Sequence, residues 1–368
     1  MSKTITIKGA YGESNFGDDL LMKVFESYFK EEFNVSPNFQ GVDVAYPKKM
    51  LDGSSYNKVM SGKVDLLVYG GGTQFFAFST KNSTTLQNKI LRAFKNPNFL
   101  IKKIGERLRL EKNERNEGTT YKHIAFLGIG LGPFSDNQIV IEKTKNTLDS
   151  ALFTGVRDQV SKKFCDEWGI NSVLGADVVF SSYFESYLED DLIRVTHRES
   201  KKIGIIVRDW DWDEDGGRYY QPLIDLANSD SKYEFIIFAP YKDKVWLNKL
   251  AHIRKVVWNP ELDTISSFLH LLNGYSGFIS ARYHGAIIAA LLNKPVVCVE
   301  VEDKLRILTQ QIPEMKLWEK PFQKEQLEKL LKFENEQVDY TKSIASLRNL
   351  ANTMLVNFKN TYNDENES

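Results

Sequence analysis

The segment from Gly277 to Glu300 restricts the fold more than any other stretch of this chain. Gly277–Ser280 is an uninterrupted apolar run, and Ala281-Arg282-Tyr283-His284 follows it. An apolar helical run from Gly285 to Leu292, a turn at Asn293-Lys294-Pro295 and a second apolar run, Val296–Val299, complete the unit. Two strands joined by a helix pair in parallel through a right-handed crossover, so both strands end on the same edge of the sheet. Arg282, His284 and, beyond the second strand, Lys304 therefore gather at the edge where open α/β sheets bind ligands. Taken singly, Arg282 and Lys304 read as solvated cations and His284 as a helix cap. Together, a guanidinium, an imidazole and an ammonium beside a helix N-terminus suit a small anion carrying more than one charge.

The same alternation runs along the rest of the chain. Strands are expected at Thr4–Lys8, Val64–Tyr69, Ile124–Leu127, Ala151–Val156 and Ser172–Leu174. Further strands are expected at Lys202–Val207, Glu234–Phe238, Val256–Trp258, Gly277–Ser280 and Val296–Val299. Strands alternating with helices on this scale give an α/β fold with parallel sheets. A chain of 368 residues is long enough for two domains. The polar stretch from Glu185 to Lys201 lacks apolar periodicity and marks the boundary. The division is residues 1–190, an N-terminal α/β domain; 191–322, a C-terminal α/β domain; and 323–368, a helical tail. Two Rossmann-like domains so joined face each other across a cleft. In the tail, Leu327, Leu330, Leu331, Leu347, Leu350 and Leu355 are the packing positions, and the last six residues are expected to fray.

Composition removes several function classes. A net charge of −1 provides no overall field to attract nucleic acid. Cys165 and Cys298 lie in apolar surroundings without metal-ligand spacing, which fits a reducing cytoplasm. Met1 to Gly9 reads as a first strand and lacks the apolar core of a signal peptide. Apolar runs such as Ala286–Leu292 fall far short of the ~20 residues that span a bilayer. A cytoplasmic protein is expected. One segment, 88–115, is basic and amphipathic, with Lys89, Arg92, Lys95, Lys102, Lys103, Arg107, Arg109 and Lys112 interleaved with apolar residues. It suits peripheral contact with the inner face of a membrane, or equally a helix packed on the first domain with its charges solvated.

Chemically unusual residues cluster after the expected strands. The first is followed by Gly9-Ala-Tyr-Gly-Glu-Ser-Asn-Phe-Gly-Asp-Asp, in which Asn15 and Asp18 are candidates for the cleft or for capping the next helix. This is neither a dinucleotide fingerprint nor a P-loop. Val64–Tyr69 leads into Gly70-Gly71-Gly72, which allows positive φ and close approach of a bound group. Gly128-Ile-Gly-Leu-Gly-Pro is a similar device. Arg157 follows Val156, with a local pair to Asp158 as its plain reading, and Arg208 follows Val207. Asp209-Trp-Asp-Trp-Asp begins like a calcium loop, but counting from Asp211 its twelfth position is Pro222 instead of a bidentate Glu. No metal and no cofactor are expected. Trp210, Trp212, Tyr219 and Tyr220 offer sugar-stacking faces or packing, with neither favoured.

At this point the chain resembles the polysaccharide pyruvyl transferase family. The matching segments, in family order, are Tyr11-Gly-Glu-Ser-Asn-Phe-Gly-Asp, Leu67-Val-Tyr-Gly-Gly-Gly, Gly128-Ile-Gly-Leu-Gly-Pro, Val156-Arg-Asp-Gln-Val-Ser, Gly175-Ala-Asp, and Ser280-Ala-Arg-Tyr-His-Gly with Lys304 following. The ordered set is specific, above all Arg-x-His-Gly followed by Lys. The resemblance implies a two-lobed fold like that of the GT-B glycosyltransferases. It also implies transfer of a pyruvyl group from phosphoenolpyruvate to a sugar of a cell-surface glycan or its lipid-linked precursor, forming a cyclic ketal. By the same resemblance His284 and Arg282 are catalytic, and Arg157, Arg282 and Lys304 bind the donor. Asn15, Asp18, Gly71, Gly72 and Arg208 are the candidates on the cleft and acceptor side. Two departures stand out: Thr73-Gln-Phe-Phe, where members often have Leu and an acidic residue, and Tyr283 in place of a commoner Leu.

The chemistry agrees with that reading. Phosphoenolpyruvate presents a phosphate and a carboxylate on one carbon, which calls for several cationic donors. Ketal formation begins with a proton on the methylene carbon, a task for His284. Two other readings remain open. One is a glycosyltransferase of the same architecture using a nucleotide sugar, with Glu300 or Glu302 as the carboxylate such an enzyme requires. The other is a sugar-binding module without catalysis.

Overall fold

A computed structural model describes residues 3–58, 62–76, 119–135, 137–188, 201–210, 215, 217–332 and 338–367. It contains two parallel sheets. The first has the order β3 (Ser55–Asn57), β2 (Asn38–Gln40), β1 (Ile5–Lys8), β4 (Gly62–Gly70), β6 (Thr119–Leu131), β7 (Phe153–Val156), β8 (Val173–Leu174), with β5 (Thr73–Phe75) pairing to β6. The second has the order β11 (Lys255–Val257), β10 (Tyr233–Ile237), β9 (Ile203–Ile206), β12 (Gly277–Ser280), β13 (Val296–Val299), β14 (Lys316–Trp318). Both are Rossmann-like. Each steps outward from its first strand in one direction and then restarts on the other side, β1 to β4 and β9 to β12. A crevice for ligands opens at such a reversal, outside the carboxyl ends of the strands.

The expected strands are all present. Every residue of β7, β9, β12 and β13 is buried, as parallel strands covered by helices on both faces require. The strands not foreseen are β2, β3, β5 and β14, each only three residues long. Runs that short carry too little periodicity to stand out from loop sequence.

Twelve helices among the described residues cover the sheets. In chain order they are α1 (Phe16–Phe33), α2 (Tyr46–Met50), α3 (Gln138–Asp149), α4 (Gln159–Glu167), α5 (Ser182–Leu188), α6 (Tyr220–Ser229), α7 (Lys244–Lys249), α8 (Ile265–Asn273), α9 (Tyr283–Leu291), α10 (Asp303–Gln311), α11 (Lys324–Leu330) and α12 (Thr341–Glu367). A 3₁₀ turn, Val178–Phe180, follows β8. Helix α12 continues to Glu367, so the last residues are helical rather than frayed. Its buried positions, Leu347, Ala351, Met354, Leu355, Phe358 and Tyr362, recur at helical spacing. That face packs on β6, β7, β8 and the 3₁₀ turn of the first sheet. Tyr28 Oη donates to the Leu355 carbonyl at 2.8 Å, and Lys359 pairs with Glu32 at 2.6 Å. The helical tail thus returns to the N-terminal lobe.

The lobes join around the start of α1. The Phe16 amide donates to the Phe238 carbonyl at 2.9 Å, just past β10. The Phe16 ring lies 5.0 Å from Phe238, 5.0 Å from Trp258 and 4.8 Å from Phe268. Aromatic contacts at these spacings add to the burial that holds the lobes together. Cys165 and Cys298 are buried and unpaired. No helix among the described residues is long and apolar enough to cross a membrane. The basic segment 88–115 lies outside the described residues.

Candidate active site

The site forms where the carboxyl edges of the two sheets meet. From the second lobe come Arg208 after β9, Arg282 and His284 after β12, and Lys304 after β13. From the first come Gly17 after β1, Thr73 after β4, Arg157 after β7 and Asp177 after β8. Arg157, His284 and Lys304 are brought together around one side chain, Tyr283. The Arg157 guanidinium lies 4.4 Å from the Tyr283 ring centre and the Lys304 ammonium 6.0 Å from it. The Tyr283 departure therefore places an aromatic face between two cations.

Arg157 is almost fully buried. Its Nη2 donates to Thr73 Oγ1 at 2.9 Å, and its Nη1 stands 3.4 Å from Asp177 Oδ2. The local partner, Asp158, is 3.6 Å from Nε, and Nε has no hydrogen-bond acceptor. Asp158 instead caps α4 by accepting from the Ser161 amide at 2.7 Å. The guanidinium lies across Gly130, where an added Cβ would come within 2.7 Å of Nη2. Gly130 is thus a place where only glycine lets the arginine pass. Thr73, the first residue of the other departure, orients the arginine.

His284 occupies the first turn of α9, and its ring is pressed against Gly17 at the start of α1. A Cβ at Gly17 would collide with Nδ1. His284 Nε2 lies 3.4 Å from Asp177 Oδ2, is buried and has no hydrogen bond. Asp177 accepts from the Val179 amide at 3.2 Å as the cap of the 3₁₀ turn. Burial opposes its charge, but His284, Arg157 and that amide together hold its carboxyl below the usual range.

Arg282 takes a different place. Its Nη2 sits 2.6 Å from each oxygen of Asp243, and its Nε donates to the Val207 carbonyl at 3.0 Å. Arg282 is buried and Asp243 fully so. The guanidinium thus fastens the end of β12 to the end of β9 and to the loop before α7, fixing the backbone from which His284 projects.

Lys304 pairs with Glu302 at 2.7 Å, and Arg208 bonds the same carboxylate oxygen. Burial pushes the Lys304 ammonium down to about 8; Glu302 works in the opposite direction, while Arg208 and Arg157 add to the fall. For Glu302, burial opposes the charge, yet Arg208 and Lys304 keep its carboxyl below the usual range. Glu300 binds Arg306.

On the cleft side, Asn15 occupies the N-cap position of α1; its side chain accepts from no amide of the helix, and its Nδ2 donates to Asp18 Oδ2 at 2.6 Å. Gly71 and Gly72 take positive φ, 67° and 71°, as expected of a glycine loop. Trp210, Tyr219 and Tyr220 are buried packing residues, bonded to one another and to Trp246. They offer no stacking face, and Trp212 lies outside the described residues. Asp209 accepts from the Val245 and Trp246 amides at 2.7 and 3.0 Å, capping α7. The residues that sequence reasoning left without a role are Asp177 and Asp243. Asp177 follows a strand just as Arg157 does, and that position was the available signal. Asp243 lies six residues past the end of β10, where nothing local marks it.

The comparisons with known proteins agree on the fold. The structure of Staphylococcus aureus MnaA with UDP aligns with a TM-score of 0.56 at 12% identity, covering 99% of this chain and 97% of that one. UDP-GlcNAc 2-epimerase from Neisseria meningitidis, bound to UDP-GlcNAc, aligns at 0.53 and 11% identity, covering 97% and 99%. Alr3699/HepE from Anabaena, in complex with UDP-glucose, aligns at 0.52 and 13% identity, covering 99% of each chain. At such identities the likeness is one of fold, a two-lobed GT-B-like architecture. The search of curated proteins found no match. A family model for polysaccharide pyruvyl transferase matches residues 15–303, most of both lobes and every site residue from Asn15 to Arg282 and His284. The chain belongs to the polysaccharide pyruvyl transferase family.

Proposed function

We propose that this protein moves the pyruvyl group of phosphoenolpyruvate onto two hydroxyls of a sugar in a cell-surface polysaccharide or its lipid-linked precursor, forming a ketal. The observation that carries this reading is the meeting of Arg157, His284 and Lys304 across the lobes, with Arg157 Nε buried and without a hydrogen-bond acceptor. Buried donors without acceptors are costly unless a ligand satisfies them. A carboxylate and a phosphate on adjacent atoms would do so.

In this mechanism His284 gives its proton to the methylene carbon of the donor, leaving cationic character at the neighbouring carbon. A sugar hydroxyl attacks that carbon and releases its proton to the imidazole. The carbon–oxygen bond to phosphate then breaks, and the phosphate leaves with the bonding pair. The second hydroxyl closes the ring and passes its proton to the released phosphate. Arg157 and Lys304, with Arg208 behind Glu302, stabilise charge on the departing phosphate. Arg282 positions His284 through the backbone, and Asn15, Asp18, Gly71 and Gly72 line the acceptor side. The basic segment 88–115 would keep the enzyme near a bilayer-bound acceptor.

A nucleotide-sugar transferase is the second reading, favoured by the UDP and UDP-sugar complexes among the structural neighbours. Against it, Glu302 is engaged by Arg208 and Lys304, and Glu300 by Arg306. The test is incubation with a glycan panel and either phosphoenolpyruvate labelled in its pyruvyl carbons or labelled nucleotide sugars. Pyruvyl label in the glycan, with release of phosphate, supports the proposal. Label arriving only from a nucleotide sugar overturns it.

A further inference from the structure

We propose that Asp177 is the positioning residue for His284, so that the acid is assembled from both lobes and is complete only when they are closed. The inference rests on the pyruvyl-transfer reading. Asp177 belongs to the first lobe and His284 to the second, and Oδ2 and Nε2 are 3.4 Å apart. On the other side, an added Cβ at Gly17 of the first lobe would come within 2.2 Å of Nδ1, so glycine there keeps that nitrogen unobstructed.

The charges facing this imidazole come from four directions. On its own helix, α9, the exposed amides of the N-terminus disfavour a cation, and the pair Arg282–Asp243 is closed upon itself. From β7, Arg157 adds a positive charge 3.4 Å from the same Asp177 oxygen, and Lys304 lies 6.0 Å from the Tyr283 ring centre. At the start of α1, Gly17 brings no charge, and the neighbouring Asp18 is engaged by Asn15. From the 3₁₀ turn, Asp177 supplies the carboxylate at ion-pair distance. Asp177 is therefore the carboxylate placed to accept from His284 Nε2 and fix the orientation of the ring. Because its other oxygen is fixed by the Val179 amide and it also faces Arg157, the carboxylate aligns the acid and the anion-binding guanidinium together.

The test is Asp177→Asn, which keeps the shape and the cap acceptor and removes the charge, with Asp177→Ser as a second capping variant should the first fail to fold. Histidine nitrogens are followed by NMR on the ¹⁵N-histidine-labelled protein, His284 being assigned by its absence in His284→Gln. Loss of the carboxylate acceptor is expected to change the ring ¹⁵N shifts of His284 at fixed pH, because Nε2–H loses the partner that fixes its tautomer. The kcat for pyruvyl transfer should fall at least tenfold with donor KM changed less than kcat, and Asp177→Glu should recover part of it. His284 ring ¹⁵N shifts that stay at their wild-type positions in both folded variants overturn the inference. Since the NMR readout needs no substrate, changed His284 ring shifts in a protein without pyruvyl transfer would refute the functional reading while leaving the Asp177–His284 pairing in place.

Discussion

Trp258 donates its indole N–H to the carboxylate of Asp19 across the lobes, at 2.9 Å and entirely out of solvent. The other carboxylate oxygen accepts from Tyr46 at 2.7 Å. Burial pushes the Asp19 carboxyl up to about 7; the Trp258 and Tyr46 hydrogen bonds oppose this, Asp18 reinforces it and Lys242 opposes it.

This gives a stability prediction with a definite sign. The unfolded chain releases the Asp19 proton near 3.8, whereas the folded chain keeps it until about 7. Between those values the unfolded state binds fewer protons, so stability is fully present below the lower one and falls as pH rises toward the higher. The loss is at most about 4 kcal/mol. Urea unfolding of wild type and Asp19→Asn should show wild type losing ground to the variant from pH 4 to 7, with no further change above 8. A constant gap across that window would refute the assignment.

Arg282 is expected to matter for folding, which differs from its reading as a purely catalytic group. Removing one partner of a buried ion pair leaves an uncompensated charge and costs about 3–5 kcal/mol. Arg282→Ala should lower the denaturation midpoint accordingly. Arg282→Lys should also be destabilised, since an ammonium cannot serve both Asp243 and the Val207 carbonyl as the guanidinium does. Wild-type stability in Arg282→Ala would refute the anchoring role.

His284→Ala provides the contrast. The side chain touches Gly17 and Asp177 but is bonded to neither, so its truncation should cost about 1 kcal/mol, the centre of the distribution for point substitutions. Transfer activity should fall by ~10²-fold or more, as for loss of a positioned acid. Circular dichroism and a coupled phosphate-release assay separate the two effects, and a folded variant that turns over at the wild-type rate would refute the role.

The parts legible in sequence were those with long-range regularity. Apolar strands such as Ile203–Ile206 and Gly277–Ser280 announce parallel pairing, and parallel pairing dictates that His284 and Lys304 share the carboxyl edge of one sheet, as Arg157 lies on the carboxyl edge of the other. What the sequence did not disclose was pairing between distant segments. Nothing local to Arg282 indicates Asp243, 39 residues earlier, as its partner. Nothing local to Lys304 shows that the distant Arg208 would share a single oxygen of Glu302 with it. The burial of Trp210, Tyr219 and Tyr220 was equally invisible, because an aromatic cluster in a loop packs or stacks depending on what covers it. Here Trp246 and Phe322 cover it.

Lys304 makes donor binding depend on pH. Its ammonium, pushed down to about 8 chiefly by burial, attracts an anion only while protonated. The bound donor favours the protonated form, so affinity is full below about 8 and declines as pH rises through it. One unit above that value only about a tenth of the lysine is charged, which sets a limit of roughly tenfold on the weakening between pH 7 and 9. Calorimetry with phosphoenolpyruvate should show that decline in wild type. In Lys304→Met, affinity should already be lower at pH 7 and change little toward pH 9, because Arg157 and Arg208 stay charged throughout. Glu302 sharpens the test. It is the one group acting to keep Lys304 protonated, so Glu302→Gln should move the decline to lower pH. Equal slopes in wild type and Lys304→Met would show that another group governs the donor's pH dependence and that Lys304 does not meet the anion.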